Sequence, residues 1–149
     1  MPQYFRSFED RVREAIEDEL RDASFYNQMA TIAPNDEIRA IIMSIAGDEY
    51  GHARIFSGIL DIQTGMFVPP VAEELEYNRE QFIQDLRRGI DGELQAVSEY
   101  ALLARDAPND EIRAIIMSVM GDEYAHARIF LSILSMMQGA DSMWGGGLG

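Results

Sequence analysis

The chain contains no cysteine. That absence removes disulfides, thiolate metal sites, iron–sulfur ligation and cysteine nucleophiles together, so any metal held here is held through oxygen and nitrogen. Positive charge is scarce: 12 basic residues stand against 26 acidic ones, a formal net charge of −14. Such a field repels nucleic-acid phosphates and anionic lipid headgroups and favours cationic partners, although an acidic surface also serves solubility alone. Long apolar runs are missing as well. No stretch approaches the roughly 18 to 20 consecutive apolar residues of a membrane-spanning helix, and the amino-terminal MPQYFRSFEDR has no basic flank ahead of an apolar segment. The expectation is a cytoplasmic protein with no nucleic-acid and no membrane partner. At 149 residues and 47% apolar composition, the chain suffices for one domain (1–149) with a substantial core.

What is present is a duplication. Shifted by 74 positions, Ile16 to Leu60 aligns on Ile90 to Leu134 with 29 identities in 45 positions. APNDEIRAIIMS occurs unchanged at Ala33 to Ser44 and at Ala107 to Ser118, and GDEY-x-HARIF recurs from Gly47 and Gly121. Two copies of this length predict two helical hairpins rather than a solenoid. Within each copy, proline ends one helix and Asn35 or Asn109 caps the next ahead of an acidic first turn. The expected helices lie near 7–31, 36–60, 75–105 and 110–137, with repeat one at about 7–61 and repeat two at about 75–138. Between them, a linker at 62–74 carries Gly65 and Pro69-Pro70, which rule out one continuous helix. About 14 extended residues reach roughly 45 Å, whereas a helix of about 25 residues is roughly 37 Å long, so the linker can cross the whole bundle. The glycine-rich tail, 139–149, is expected to be flexible and without chemistry.

The pattern along each helix carries the functional signal. On the second helix, Ile38, Ile42, Ile45, Glu49, His52, Phe56 and Ile59 follow one another at steps of four and three, the inward seam of a bundle. The fourth repeats it with Ile112, Ile116, Val119, Glu123, His126, Phe130 and Ile133. Val12, Ile16, Glu19, Ala23, Tyr26 and Ala30 form the stripe of the first helix, and Ile90, Glu93, Val97, Tyr100 and Ala104 that of the third. Each stripe thus holds one glutamate where an apolar side chain is expected. Four carboxylates in an apolar core cost several kcal/mol per ion unless protonated or compensated. Two divalent cations supply the compensating charge. The chain's two histidines each follow a glutamate by three residues, on the same helical face. Although only six of seventeen positions are retained between Ala15–Thr31 and Gly89–Arg105, those six include Glu19/Glu93 and Tyr26/Tyr100. One glutamate from each of two helices and Glu-x-x-His from each of the other two is the constellation of ferritin-like dimetal bundles.

At these residues the sequence resembles the ferritin-like superfamily, and within it the rubrerythrin-type di-iron domain, from Phe8 to Met137. The resemblance implies an all-α, ferritin-like four-helix bundle with a long crossover between the second and third helices. It implies two iron ions, with Glu19, Glu49, His52, Glu93, Glu123 and His126 as ligands, Glu49 and Glu123 bridging. Manganese or another divalent metal suits the same donors. Tyr26 and Tyr100 correspond to the family's tyrosines beside the metals, or are packing residues only. Asp48 and Asp122, one residue before the bridging glutamates, are read as surface acids; the alternative is that they orient the histidines across the bundle. The chain departs from rubrerythrins in lacking their cysteine-bound iron site. It also has Ala96 where they carry an extra glutamate, with Asp22 at the matching position of the other repeat. The implied activity is that of an oxidoreductase reducing hydrogen peroxide or dioxygen with an external electron donor, in a homodimer. The alternatives are a ferroxidase handling iron, and a structural bundle with a stabilising metal.

Overall fold

The computed structural model describes residues 6–62 and 76–145, with side chains as far as Gly139. Four helices account for nearly all of them: α1 Phe8–Ala30, α2 Asp36–Ile59, α3 Arg79–Arg105 and α4 Asp110–Gly145. None is long and apolar enough to cross a membrane. Each of the first three starts where a side chain satisfies an otherwise unpaired amide of the first turn. Ser7 Oγ accepts from the Asp10 amide at 3.0 Å, Asn35 Oδ1 from Ile38 at 2.9 Å and Asn78 Oδ1 from Gln81 at 3.1 Å. Asn109 does the same for Ile112 at 2.9 Å.

Two boundaries differ from the sequence expectation. The third helix begins at Arg79 rather than near 75, because Asn78 supplies the cap. The fourth continues to Gly145 rather than stopping near 137. A lone Gly139 costs about 1 kcal/mol relative to alanine and does not by itself end a helix when no proline follows. Most of the linker, 63–75, and the final 146–149 lie outside the described residues.

The repeated Ala-Pro-Asn-Asp turns fold α1 onto α2 and α3 onto α4. Both hairpins are clasped alike: Arg39 Nε donates to the Ala30 carbonyl at 3.1 Å, and Arg113 Nε to the Ala104 carbonyl at 3.0 Å. Between hairpins, α1 pairs with α3 and α2 with α4. Both pairings are antiparallel. Arg11 of α1 meets Asp106 at the end of α3 at 2.7 Å, while Tyr26 further along α1 reaches back to Glu93.

Packing divides into two apolar halves with a polar band between them. One half joins Tyr26, Met29, Ile38, Ile42, Phe82, Leu86 and Phe130; the other joins Val12, Ile16, Phe56, Tyr100, Leu103, Ile116 and Val119. Ile90 and Val97, expected on the inward stripe of α3, sit at its margin, and Gly89 and Ala96 take the inner positions instead. The reason is space. A Cβ on Gly89 would lie 3.2 Å from Phe130 and 3.4 Å from Tyr26, so any side chain there makes these rings give way by a few tenths of an ångström. Gly89→Leu is therefore expected to destabilise the metal-free protein by about 1–3 kcal/mol through overpacking, outweighing its gain in helix propensity. Gly92→Leu, where a Cβ meets nothing within 4 Å, is expected to be neutral or stabilising. Equal midpoints for the two variants in urea unfolding would refute this assignment.

Candidate metal centre

The polar band consists of Glu19, Glu49, His52, Glu93, Glu123 and His126, each no more than 3% exposed. All six residues singled out by their helical stripes therefore meet. Their ligand atoms fall into two overlapping sets, each within 4.8 Å: Glu19, Glu49, His52 and Glu123, and Glu49, Glu93, Glu123 and His126. Glu49 and Glu123 belong to both.

Contacts come in matched pairs about the internal symmetry. His52 Nδ1 lies 2.7 Å from Glu123 Oε1 and 3.5 Å from Glu19 Oε2; His126 Nδ1 lies 2.8 Å from Glu49 Oε1 and 3.6 Å from Glu93 Oε1. These approaches lack hydrogen-bond alignment. Both Nδ1 atoms, both oxygens of Glu49 and Glu123, and Oε2 of Glu19 and Glu93 are buried without a hydrogen-bond partner. Eight orphaned donor atoms converging on one small volume suit a cation, which accepts lone pairs from all directions. At an effective dielectric of 20, two carboxylates 4.8 Å apart repel by about 3 kcal/mol. Without a cation the cluster must retain protons.

The ionisation equilibria reflect this. Burial raises Glu49 far above the carboxylate range, reinforced by Glu19. Burial likewise lifts Glu123 to about 10, against the opposing close approach of His52. Burial depresses His52, but its contacts with Glu123 and Glu19 outweigh that and raise it to about 11; His126 is raised through Glu93 and Asp48. Glu93 is lowered, because His126, Glu123 and Tyr26 together overcome its burial. The groups titrate as one coupled set.

Around this core the chain supplies orientation. Tyr26 donates to Glu93 Oε1 at 2.6 Å and Tyr100 to Glu19 Oε1 at 2.7 Å, so each tyrosine holds the glutamate of the opposite helix. Burial, with the neighbouring glutamate, raises both phenols and keeps them as donors. His52 Nε2 lies 2.9 Å from Asp122 Oδ2, and His126 Nε2 lies 2.9 Å from Asp48 Oδ2. Asp48 and Asp122, expected as surface acids, are therefore more than that. Their side chains are more than half exposed, yet each carboxylate reaches across to the histidine of the facing helix. An Nε2–H held by carboxylate leaves the Nδ1 lone pair aimed inward, the tautomer a metal requires.

Asp22 stands one turn beyond Glu19. It is partly buried and makes no hydrogen bond or ion pair with any described residue. Burial raises it to about 7, helped by the charges of Glu19 and Glu93. Its counterpart Ala96 is 9% exposed and packs among apolar residues. Nothing in the helical periodicity distinguished Asp22 from a surface acid; its matching position in the repeat was the only signal.

No family model matches the chain. It is 28% identical over 123 residues to an uncharacterized Bacillus subtilis protein, YhjR, covering 83% of each. A hypothetical protein of Pyrococcus furiosus superposes with a TM-score of 0.76 over 93% of this chain and 94% of that one, at 19% identity. This second likeness is one of fold: an all-helical four-helix arrangement, here enclosing a buried glutamate and histidine cluster that could bind a metal ion.

Proposed function

We propose that the chain is a ferritin-like di-iron carboxylate protein that reduces hydrogen peroxide or dioxygen, as a rubrerythrin-type domain does. The observation that carries this reading is the pair of overlapping ligand sets sharing Glu49 and Glu123. In it, Glu19 and His52 would help hold one ion and Glu93 and His126 the other, with Glu49 and Glu123 available to both because they belong to both sets. The helix directions support a ferritin-like connection: α3 runs antiparallel to α1, so it starts at the opposite end of the bundle from the end of α2. The residues between them, 63–75, lie outside the described residues.

Two iron ions, when bound, would supply the pair of electrons that cleaves an O–O bond. The residues around them do the rest. Tyr26 and Tyr100 fix the terminal glutamates, while Asp48 and Asp122 fix the histidines. The apolar halves on either side of the band exclude bulk water. Reducing peroxide to water consumes two electrons and two protons. With no cysteine to carry a second iron site, the electrons come from an external donor.

Stopped-flow mixing tests the reading. The anaerobic protein loaded with two ferrous ions is expected to be oxidised by one equivalent of peroxide at least about tenfold faster than free ferrous ion, as core-held carboxylate ligation and water exclusion require. A rate equal to that of free ferrous ion overturns the oxidoreductase reading and leaves a stabilising metal.

A further inference from the structure

We infer that the cleft between α1 and α3 at Asp22 is the access port through which a divalent cation reaches the buried glutamates, and that the port exists on one side of the molecule only. This rests on the metal-centre reading above and adds the path by which the centre is filled.

A hydrated divalent ion cannot cross an apolar wall, because stripping its water before new oxygens are in reach costs too much. It needs carboxylates in succession from solvent to site. The cleft lined by Asp22, Tyr26, Gly92 and Gln95 offers that succession. At its rim Asp91 is exposed to solvent. Deeper, Asp22 makes no hydrogen bond or ion pair with any described residue, and Glu19, one turn before it on α1, and Glu93 are the charges that act on it most strongly. Tyr26 forms part of the wall, and its hydroxyl holds Oε1 of Glu93, whose Oε2 is buried without a hydrogen-bond partner. The space beside Gly92 is open, with nothing within 4 Å of where a Cβ would lie, so a large side chain placed there has room to enter the cleft. The two arginines of the cleft are held aside: Arg21 by Asp18, and Arg88 against the Phe25 ring at 4.4 Å.

The internal symmetry provides its own control. The matching cleft at the other end reaches Tyr100 and is lined by Glu14, Asp18 and Glu99. It is the more acidic of the two. Yet where Asp22 would stand it has Ala96, packed into the apolar half. Acidity at its mouth therefore attracts cations without passing them inward.

Cobalt(II) is a suitable probe, because its visible absorption reports ligation without oxidation. Asp22→Ala and Gly92→Phe are each expected to slow Co(II) loading by about tenfold or more, with the final stoichiometry unchanged. Glu99→Ala removes the same charge from the other cleft and is expected to leave the rate within about twofold. If all three variants load like the parent, or Glu99→Ala slows loading as much as Asp22→Ala, the port is refuted while the metal centre stands. If the parent itself binds no Co(II), the centre and the port fall together. Normal circular dichroism of Gly92→Phe separates blockage from misfolding, and Asp22→Ala tests the path without added bulk.

Discussion

Chelation is expected to lower the melting temperature of the metal-loaded protein by roughly 10–20 °C, and by more at pH 9 than at pH 5. The size follows from linkage. One site with free ligand at a hundredfold its Kd contributes about 2.7 kcal/mol, two such sites about twice that, and a domain of this length shifts by about 2–4 °C per kcal/mol. The pH dependence follows from the metal-free cluster. Glu123 rises from the usual 4.5 to about 10 on folding and His52 from 6.5 to about 11, so over this interval the folded state holds protons that the unfolded chain has released. Stability from these two groups is fully present below pH 4.5 and 6.5 respectively. It is lost as pH climbs toward 10 and 11. Asp22, raised from 3.8 to about 7, adds to the fall at its acid end. Bound cations reverse the sign, because they take the places of the protons and meet less competition as pH rises. Calorimetry of metal-free and metal-loaded protein between pH 5 and 9 should therefore give diverging curves. Parallel curves, or a metal-free protein that gains stability toward pH 9, would contradict the protonated cluster.

Much of this centre was legible before any coordinates. The stripes placed Glu49, His52, Glu123 and His126 on inward seams because a bundled helix buries its three-four pattern, and the duplication carried Glu19 and Glu93 to the same level. What escaped depends on geometry between helices. Asp48 and Asp122 lie about 100° from the glutamates that follow them, which on one helix reads as surface. Only the antiparallel approach of α2 and α4 brings each within 2.9 Å of the other helix's histidine. The tyrosines show the same limit: their place on the inward stripes does not say which glutamate each one meets, and Tyr26 bonds Glu93 while Tyr100 bonds Glu19 across the interface. The inner positions of α3 were misassigned to Ile90 and Val97 because hydrophobicity was taken for burial. There the tight approach of Phe130 and Tyr26 decided for Gly89.

Converting both shared glutamates to their amides, Glu49→Gln with Glu123→Gln, is expected to abolish metal binding while making the metal-free protein more stable at alkaline pH. Each belongs to both ligand sets, so their loss disables the two together. Glu93→Gln touches one set alone and should leave about half the stoichiometry, because the set of Glu19, Glu49, His52 and Glu123 keeps its ligands. The stability gain arises because a carboxamide never ionises. At pH 5 the native carboxyls of Glu49 and Glu123 already hold protons, both being raised by burial, so neutral amides of the same shape should change little. At pH 9 the unfolded parent has released the proton that folded Glu123, raised to about 10, still holds, and the variant has no such proton to lose. Each pH unit between the unfolded and folded values takes up to about 1.4 kcal/mol from the parent alone. At about 2–4 °C per kcal/mol, the metal-free double variant should melt several degrees above the metal-free parent at pH 9 and level with it at pH 5. Equilibrium dialysis against Co(II), with thermal melts at the two pH values, decides the matter. Retained binding would mean that the ions sit elsewhere. A variant less stable at both pH values would mean that Glu49 and Glu123 help hold the folded bundle together without a metal, and that their orphaned oxygens are not the cost that a cation exists to offset.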